Sequence, residues 1–178
     1  MHRQFLLQLL RQHVPTDANE QAMTQDTLRF VTQHPDCFER SLLIGHVTGS
    51  AWVVSPDRQQ TLLIHHRKLD RWLQPGGHAD GDADVAAVAL REAHEETGLR
   101  SLLLAEPCIF DVDVHTIPAR NDVPEHLHYD VRFLVEADPG EPLGTSSEIK
   151  NIGWFSLDEA MGFTDSESVL RLIRKTTA

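Results

Sequence analysis

Residues 76–99 read GGHADGDADVAAVALREAHEETGL, a stretch that predicts a turn followed by an amphipathic helix. The helix is expected to begin near Val85, with Asp82 or Asp84 as its cap, and to end at Gly98. At about 100° per residue, its apolar side chains form one arc. That arc consists of Val85, Ala86, Ala89, Leu90 and Ala93. The helix therefore turns one face to a core and leaves another for polar side chains.

Three glutamates, Glu92, Glu95 and Glu96, share the neighbouring arc because they are three and four residues apart. Their mutual repulsion and their place near the negative end of the helix dipole both destabilise the helix. Arg91 offsets part of this cost because it can pair with Glu95. An uncompensated local cost is typical of a functional site. Converging carboxylates favour Mg²⁺ or Mn²⁺, and the alternative interpretation is a solvated acidic helix face.

The same stretch resembles the Nudix box, the signature of the Nudix hydrolases. Gly77 occupies the first position of the box. Residues 91–99, REAHEETGL, fill its second half with the spacing of the family. The sequence departs from the box at Ala83, where the family has its first glutamate, a supporting residue. Asp82 and Asp84 flank this position and supply negative charge there.

The resemblance implies a role for each matching residue. Glu92, Glu95 and Glu96 would hold divalent ions, Mg²⁺ or Mn²⁺, and the main-chain carbonyl of Gly76 would be a further ligand. Arg91 would orient Glu92 or its neighbours through a charge-assisted hydrogen bond. The site would then combine oxygen ligands from the helix and from the turn that precedes it.

The family cleaves diphosphates that are linked to another moiety, often a nucleoside, by attack of water on phosphorus. The resemblance thus implies a metal-dependent diphosphate hydrolase, or pyrophosphohydrolase. The general base of the family is either a glutamate of the box, here Glu92, or a glutamate of a later loop. Glu148 is the candidate for the later base, with a solvated loop glutamate as the alternative interpretation.

Helical and strand-like patterns surround the box. Residues 1–35 are predicted to form an N-terminal helical extension that packs on the hydrolase domain, residues 36–178. Residues 42–54 are strand-like, and two later segments, 110–115 and 127–135, alternate between apolar and polar side chains. Strands mixed with a few helices indicate an α/β (α+β) fold. The resemblance implies a mixed β-sheet sandwiched between α-helices.

The two alternating segments place several polar residues on one side if they pair as strands. His115, His128 and Arg132 would then share a face and form a wall that binds substrate. A polar face exposed to solvent is the alternative, and the pattern alone favours it. A zinc site at His126 and His128 is less favoured because no cysteine completes it.

Composition limits the partners and the compartment. The formal net charge of −11 repels the phosphates of duplex nucleic acid and of anionic membranes. No apolar run approaches the ~18 residues of a transmembrane helix, and no cleavage site of a signal peptide follows the first apolar segment. Two isolated cysteines, Cys37 and Cys108, are typical of a reducing cytoplasm, with a disulfide between them as the alternative. We expect a cytoplasmic enzyme with a small-molecule diphosphate substrate, and the sequence leaves a homodimer open.

Two other functions remain open at this stage. Isopentenyl diphosphate isomerases share the fold, and they need a catalytic cysteine and an acid in the pocket. Cys37 and Cys108 leave that alternative open. A non-catalytic ligand-sensing domain would keep the fold for binding alone, and Ala83 leaves that alternative open. The complete glutamate set favours hydrolysis over both.

Overall fold

Helices cover both faces of a mixed β-sheet in the computed structural model, which describes residues 2–120, 122–144, 146–147 and 149–177. The helices are α1 (Gln4–Gln12), α2 (Ala18–Gln33), α3 (Val85–Thr97), α4 (Leu157–Phe163) and α5 (Glu167–Thr177). The strands are β1 (Gly45–Val54), β2 (Gln60–His66), β3 (Arg71–Leu73), β4 (Gly76–His78), β5 (Leu103–Leu104), β6 (Asp111–Ile117), β7 (His126–Glu136) and β8 (Ile149–Ser156). The predicted α/β (α+β) class is confirmed.

β1 and β7 form the centre of the sheet. They pair in parallel along the whole of β1, from Gly45 opposite Leu127 to Val54 opposite Glu136. On its other side β1 pairs antiparallel with β4 in its middle and with β2 at its end. β6 and β5 pair antiparallel with β7, and β3 and β8 pair antiparallel with β2. The central parallel pair therefore brings β4, β1, β7 and β6 side by side.

Successive side chains of β1 enter two different cores. Val47, Ala51 and Val53 belong to a cluster that includes side chains of α1, α2 and α3. Trp52 and Val54 belong to a second cluster with side chains of α4 and α5. This alternation follows from the period-two geometry of a strand. The predicted sandwich of a sheet between helices is thus confirmed.

The first two helices pack against the sheet. Leu6 and Leu10 of α1 and Val31 of α2 are buried in the same cluster as the central strands. Phe30 stacks on Tyr129 of β7, with 3.9 Å between the ring centroids. The division of the chain at residue 35 stays a prediction.

α3 begins and ends where its sequence predicts. Asp84 caps its N-terminus and accepts a hydrogen bond from the Ala87 N–H. Gly98 follows its C-terminus with a φ of 74°, a left-handed conformation that glycine adopts readily. The local signals of this segment therefore suffice to fix its secondary structure.

The cysteines and the helix lengths test two of the sequence-based expectations. Cys37 is buried and Cys108 is exposed, and both are free, so the alternative of a disulfide between them is wrong. Among the described residues, no helix combines the length and the apolar character that crossing a membrane requires.

Candidate functional site

A cleft of about 1290 Å³ lies where α3 meets β4 and the polar face of β6 and β7. Most of the predicted site residues line it, namely Gly76, Arg91, Glu92, Glu95, Glu96, His115, His128 and Arg132. Glu148, the candidate base from a later loop, lies outside the described residues. The fold thus brings the glutamates of α3 and the polar residues of the late strands into one cavity.

The three glutamates of α3 differ in their access to solvent. Glu96 is buried, and its Oε2 accepts a hydrogen bond of 3.0 Å from the Gly76 N–H. The side chain of Glu92 is 20% exposed, whereas that of Glu95 is 60% exposed. The carboxylates therefore extend from the floor of the cleft to its rim. The contact at Glu96 fixes the last turns of α3 against β4.

Arg91 holds Glu92 in place. Its Nη2 donates to Glu92 Oε1 at 3.0 Å and to the carbonyl of His78 at 3.1 Å. Arg91 also lies 3.9 Å from carboxylate oxygens of Asp82 and of Glu95. The guanidinium therefore connects α3 to β4 and to the turn between them.

The departure from the box at Ala83 has a local explanation. Ala83 is half-buried and packs against the core cluster that includes α3. The two neighbours of Ala83 make the polar contacts: Asp82 lies beside Arg91, and Asp84 caps the helix. Negative charge therefore reaches Arg91 from the adjacent position in the chain.

Gly77 leaves the space that the Glu92 side chain occupies. A Cβ atom at Gly77 would lie 2.3 Å from Glu92 Oε2. Burial raises the pKa of Glu92 above its ordinary value, and the hydrogen bond from Arg91 opposes this shift. The glycine thus allows strand and carboxylate to approach each other closely.

β6 and β7 pair as the alternation predicts and share one polar face. His115 lies opposite His128, and Asp111 lies opposite Arg132. The interpretation of this face as solvent-exposed is wrong, because Asp111, Asp130 and Arg132 are all buried. α5 covers part of the face, and the cleft occupies the rest.

Aspartates surround the Arg132 guanidinium. Its Nε donates to Asp130 at 2.7 Å, while Nη1 and Nη2 each lie 3.2 Å from oxygens of Asp111 and Asp113. The Asp130 carboxylate also accepts hydrogen bonds from Thr48 and Ser50. Arg132 is therefore committed to carboxylates of this chain, and its role in binding substrate stays a prediction.

Contacts of Asp111 extend this cluster to the C-terminal helix α5 and, through Lys175, to the N-terminal helix α2. Arg171 of α5 donates two hydrogen bonds of 2.8 Å to Asp111, and Lys175 lies between Asp111 and Glu20 of α2. We call these seven charged residues the ionic network, which comprises Glu20, Asp111, Asp113, Asp130, Arg132, Arg171 and Lys175. The network forms the floor beneath one end of the cleft.

Two carboxyls of the ionic network are held in their charged forms. Burial alone would raise the pKa of Asp113, but the charges of Arg132, His115 and Arg171 lower it well below its ordinary value. Burial likewise opposes ionisation of Glu20, and hydrogen bonds from His13, Lys175 and Thr16 outweigh it, so its pKa is also lowered. The network is thus an array of satisfied charges.

Five histidines gather on the same face, beyond the ionic network. Their rings lie on four adjacent strands, and neighbouring centroids are 4.8 to 5.5 Å apart. They are His46 of β1, His78 of β4, His115 of β6, and His126 and His128 of β7. The sequence alone gave His46 no role, because nothing local shows that β1 lies beside β7.

Burial keeps the inner histidines neutral. Burial is the largest cause of the low pKa of His78, about 4, and of His128, about 2; the charge of Arg40 contributes at His78, and neighbouring histidines contribute at both. The pKa of His46 is also lowered, again chiefly by burial. These imidazoles therefore offer a lone pair at neutral pH.

Comparison with known proteins shows the family of the chain. The family model of the NUDIX domain matches residues 46–174. The chain belongs to the NUDIX family. The match begins at His46 of β1 and ends within α5, so it contains the cleft-lining residues apart from Arg40.

Curated relatives of this NUDIX chain match it in part. It is 32% identical over 122 residues to the CMP-5'-(N-acetyl-N-hydroxy-3-aminopropyl)phosphonate hydrolase of Streptomyces rubellomurinus, covering 63% of this chain and 53% of that protein. It is 29% identical over 114 residues to the "Probable DHNTP pyrophosphohydrolase" of Lactococcus lactis subsp. cremoris, covering 63% of each. The chain thus spans less than two thirds of the length of either relative.

A solved structure shares the fold. The binary complex of the C. elegans Ap4A hydrolase superposes with a TM-score of 0.59 and 20% sequence identity. The match covers 74% of this NUDIX chain and 94% of the other. The curled mixed sheet with flanking helices is therefore the arrangement of the family.

Proposed function

We propose that this protein hydrolyses the diphosphate linkage of a nucleoside diphosphate joined to another moiety, by attack of water on phosphorus. The observation that carries the proposal is the set of Glu92, Glu95 and Glu96 beside Gly76 in one cleft. Membership of the NUDIX family supports it, and so do the names of the two relatives, a hydrolase of a CMP conjugate and a pyrophosphohydrolase.

The donor atoms of this set fit a hard divalent cation. Glu92, Glu95 and Glu96 offer carboxylate oxygens and Gly76 offers a carbonyl oxygen, which are the ligands that Mg²⁺ and Mn²⁺ prefer. Gly77 supports the fit because it leaves Glu92 free of a Cβ contact. When bound, such a cation supplies neutralisation of the diphosphate charge and activation of water. A chain with a net charge of −11 needs this neutralisation to admit a diphosphate.

Residues of this chain orient the carboxylates, accept the proton and contact the substrate. Arg91 orients Glu92 through its hydrogen bond of 3.0 Å, and Glu96 holds β4 against α3. Glu92 is the base that accepts a proton from the attacking water, and Glu148 is the second candidate for this role. His115 and His128 line the cleft and are the candidate residues for contact with the substrate.

The isomerase alternative has little support from the site. Cys37 is buried in the core cluster that includes α1, α2 and α3. Cys108 is exposed, and neither cysteine is among the described residues that line the cleft. The ligand-sensing alternative shares every feature of the cleft, so only an activity measurement separates it from the hydrolase.

A screen of nucleoside diphosphate compounds with Mg²⁺ tests the proposal. We expect at least one compound to release phosphate or a nucleoside monophosphate, and excess chelator is expected to abolish the release. Binding of a compound without turnover would favour the ligand-sensing alternative. Full activity in excess chelator would contradict the role given to the glutamates.

Replacing Gly77 with Ala is expected to lower activity while leaving the fold intact. The three atoms nearest to the new Cβ all belong to the flexible end of Glu92, so the side chain can move at little cost in stability. That movement displaces a ligand, and we expect turnover at limiting Mg²⁺ to fall by about 10- to 100-fold. Gly162→Ala is the matched control, because a Cβ there meets nothing within 4 Å. Equal kinetics of the two variants would contradict the placement of Glu92.

A further inference from the structure

We propose that His46, His78 and His128 form a binding site for a first-row transition-metal ion, with Zn²⁺ as its representative, separate from the carboxylate site on α3. One ligand atom from each ring lies within 4.8 Å of the other two. The three rings come from three adjacent strands, β4, β1 and β7. The sheet itself therefore holds the ligands together, with no loop involved.

The unpaired nitrogens are the observation that points to a ligand. His46 is only 4% exposed, and among the described residues neither of its ring nitrogens makes a hydrogen bond of regular geometry, although the Leu42 carbonyl lies close enough to act on the ring. The buried Nε2 of His128 also lacks a partner in the part of the chain that the structure describes. Buried polar atoms are normally paired, because leaving them unpaired costs free energy. A metal ion between the rings would satisfy one nitrogen of each ring.

The chemistry of the ligands selects the class of ion. Three imidazoles and no carboxylate suit Zn²⁺, Ni²⁺, Cu²⁺ or Co²⁺, whereas Mg²⁺ prefers oxygen. Three nitrogens around one zinc ion lie about 3.3 Å apart, so ligand atoms that are now within 4.8 Å of one another would close by up to about 1.5 Å on binding. Arg40, whose charge acts on His46 and His78, is ion-paired with Asp80. The positive charge of Arg40 beside the proposed site is thus neutralised by Asp80.

The site would open towards the cleft. His78 and His128 line the cleft, and the buried His46 lies behind them. A zinc ion held by three protein ligands keeps a fourth position for water or an anionic oxygen. His128 would then act on a ligand of the cleft through the ion, and His115 would remain the histidine with direct access. His78 lies two residues after Gly76, so the two metal sites would share β4.

Zinc binding by the full-length, metal-stripped protein tests the proposal. We expect calorimetric titration with zinc in millimolar Mg²⁺ to give one tight equivalent, and Co²⁺ to give the visible absorption of a nitrogen-ligated ion. His78→Ala and His128→Ala are each expected to weaken zinc binding by at least about 100-fold. His34→Gln, at the end of α2, is the control and should bind as the wild type does. Circular dichroism checks the fold of each variant, and His128→Asn is a second substitution that retains polarity.

The outcomes separate this site from the carboxylate site. Glu96→Gln is expected to leave zinc affinity unchanged, because Glu96 belongs only to the proposed Mg²⁺ set. Wild-type protein that takes up no zinc would overturn the proposal. Zinc binding that survives both histidine variants, or that is lost with Glu96→Gln, would also overturn it. Since the readout is binding, the result does not depend on whether diphosphate hydrolysis is found.

Discussion

Replacing Glu96 with Gln is expected to lower diphosphate hydrolysis by at least about 100-fold while the protein stays folded. Gln is nearly isosteric and keeps an oxygen that can accept the Gly76 N–H. The variant therefore retains the link between α3 and β4 and loses only the negative charge. Because that charge would hold the cation, the loss should be largest at low Mg²⁺. Initial rates across a Mg²⁺ series, with a substrate from the screen, measure it.

Glu106→Gln is the matched control for this variant. Glu106 is exposed and lies in the chain between β5 and β6, away from the residues that line the cleft. The control should keep the wild-type rate and the wild-type dependence on Mg²⁺. If Glu96→Gln turned over substrate at the wild-type rate, the assignment of Glu96 as a metal ligand would be wrong.

Asp111→Asn is expected to destabilise the protein by about 3–5 kcal/mol. Asp111 is completely buried and accepts from Arg132, Arg171 and Lys175. Removing its charge takes away a carboxylate that contacts all three buried cations, and breaking such a buried network is far more costly than losing a surface pair. Urea unfolding followed by circular dichroism measures the change in the free energy of unfolding.

Asp26→Asn provides the comparison for Asp111→Asn. Asp26 pairs with Arg29 on the surface of α2, and its side chain is 48% exposed. Exposed pairs contribute about 0–1 kcal/mol, so this control should unfold close to the wild type. A change of less than 1 kcal/mol at Asp111 would mean that the ionic network adds little to stability.

The parts of the site that follow from local sequence could be predicted. The caps of α3, its apolar arc and the spacing of Glu92, Glu95 and Glu96 all lie within about four turns of a single helix. The shared face of His115, His128 and Arg132 could also be predicted, on the one condition that the two alternating segments pair as strands.

The burial of that face could not be predicted, because it depends on distant partners. Thr48 and Asp130 are 82 residues apart and become neighbours only through the parallel pairing of β1 with β7. The same register places His46 beside His128. Alternating polar and apolar residues normally indicate that the polar face of a strand contacts solvent. Here the polar face is buried instead, and its charged side chains pair with one another. No local pattern distinguishes the two cases.

The contact between Glu20 and Lys175 has a consequence for the order of events during synthesis. The two residues are 155 positions apart, yet Lys175 donates to the completely buried Glu20 at 2.6 Å. A ribosome-bound chain that has not yet released α5 cannot give Glu20 this cation. Contacts of such long range form late, because much chain must first be ordered. The apolar packing of α1 and α2 on the sheet can precede that step, so the buried carboxylate of Glu20 would be held until then by hydrogen bonds from His13 and Thr16 alone.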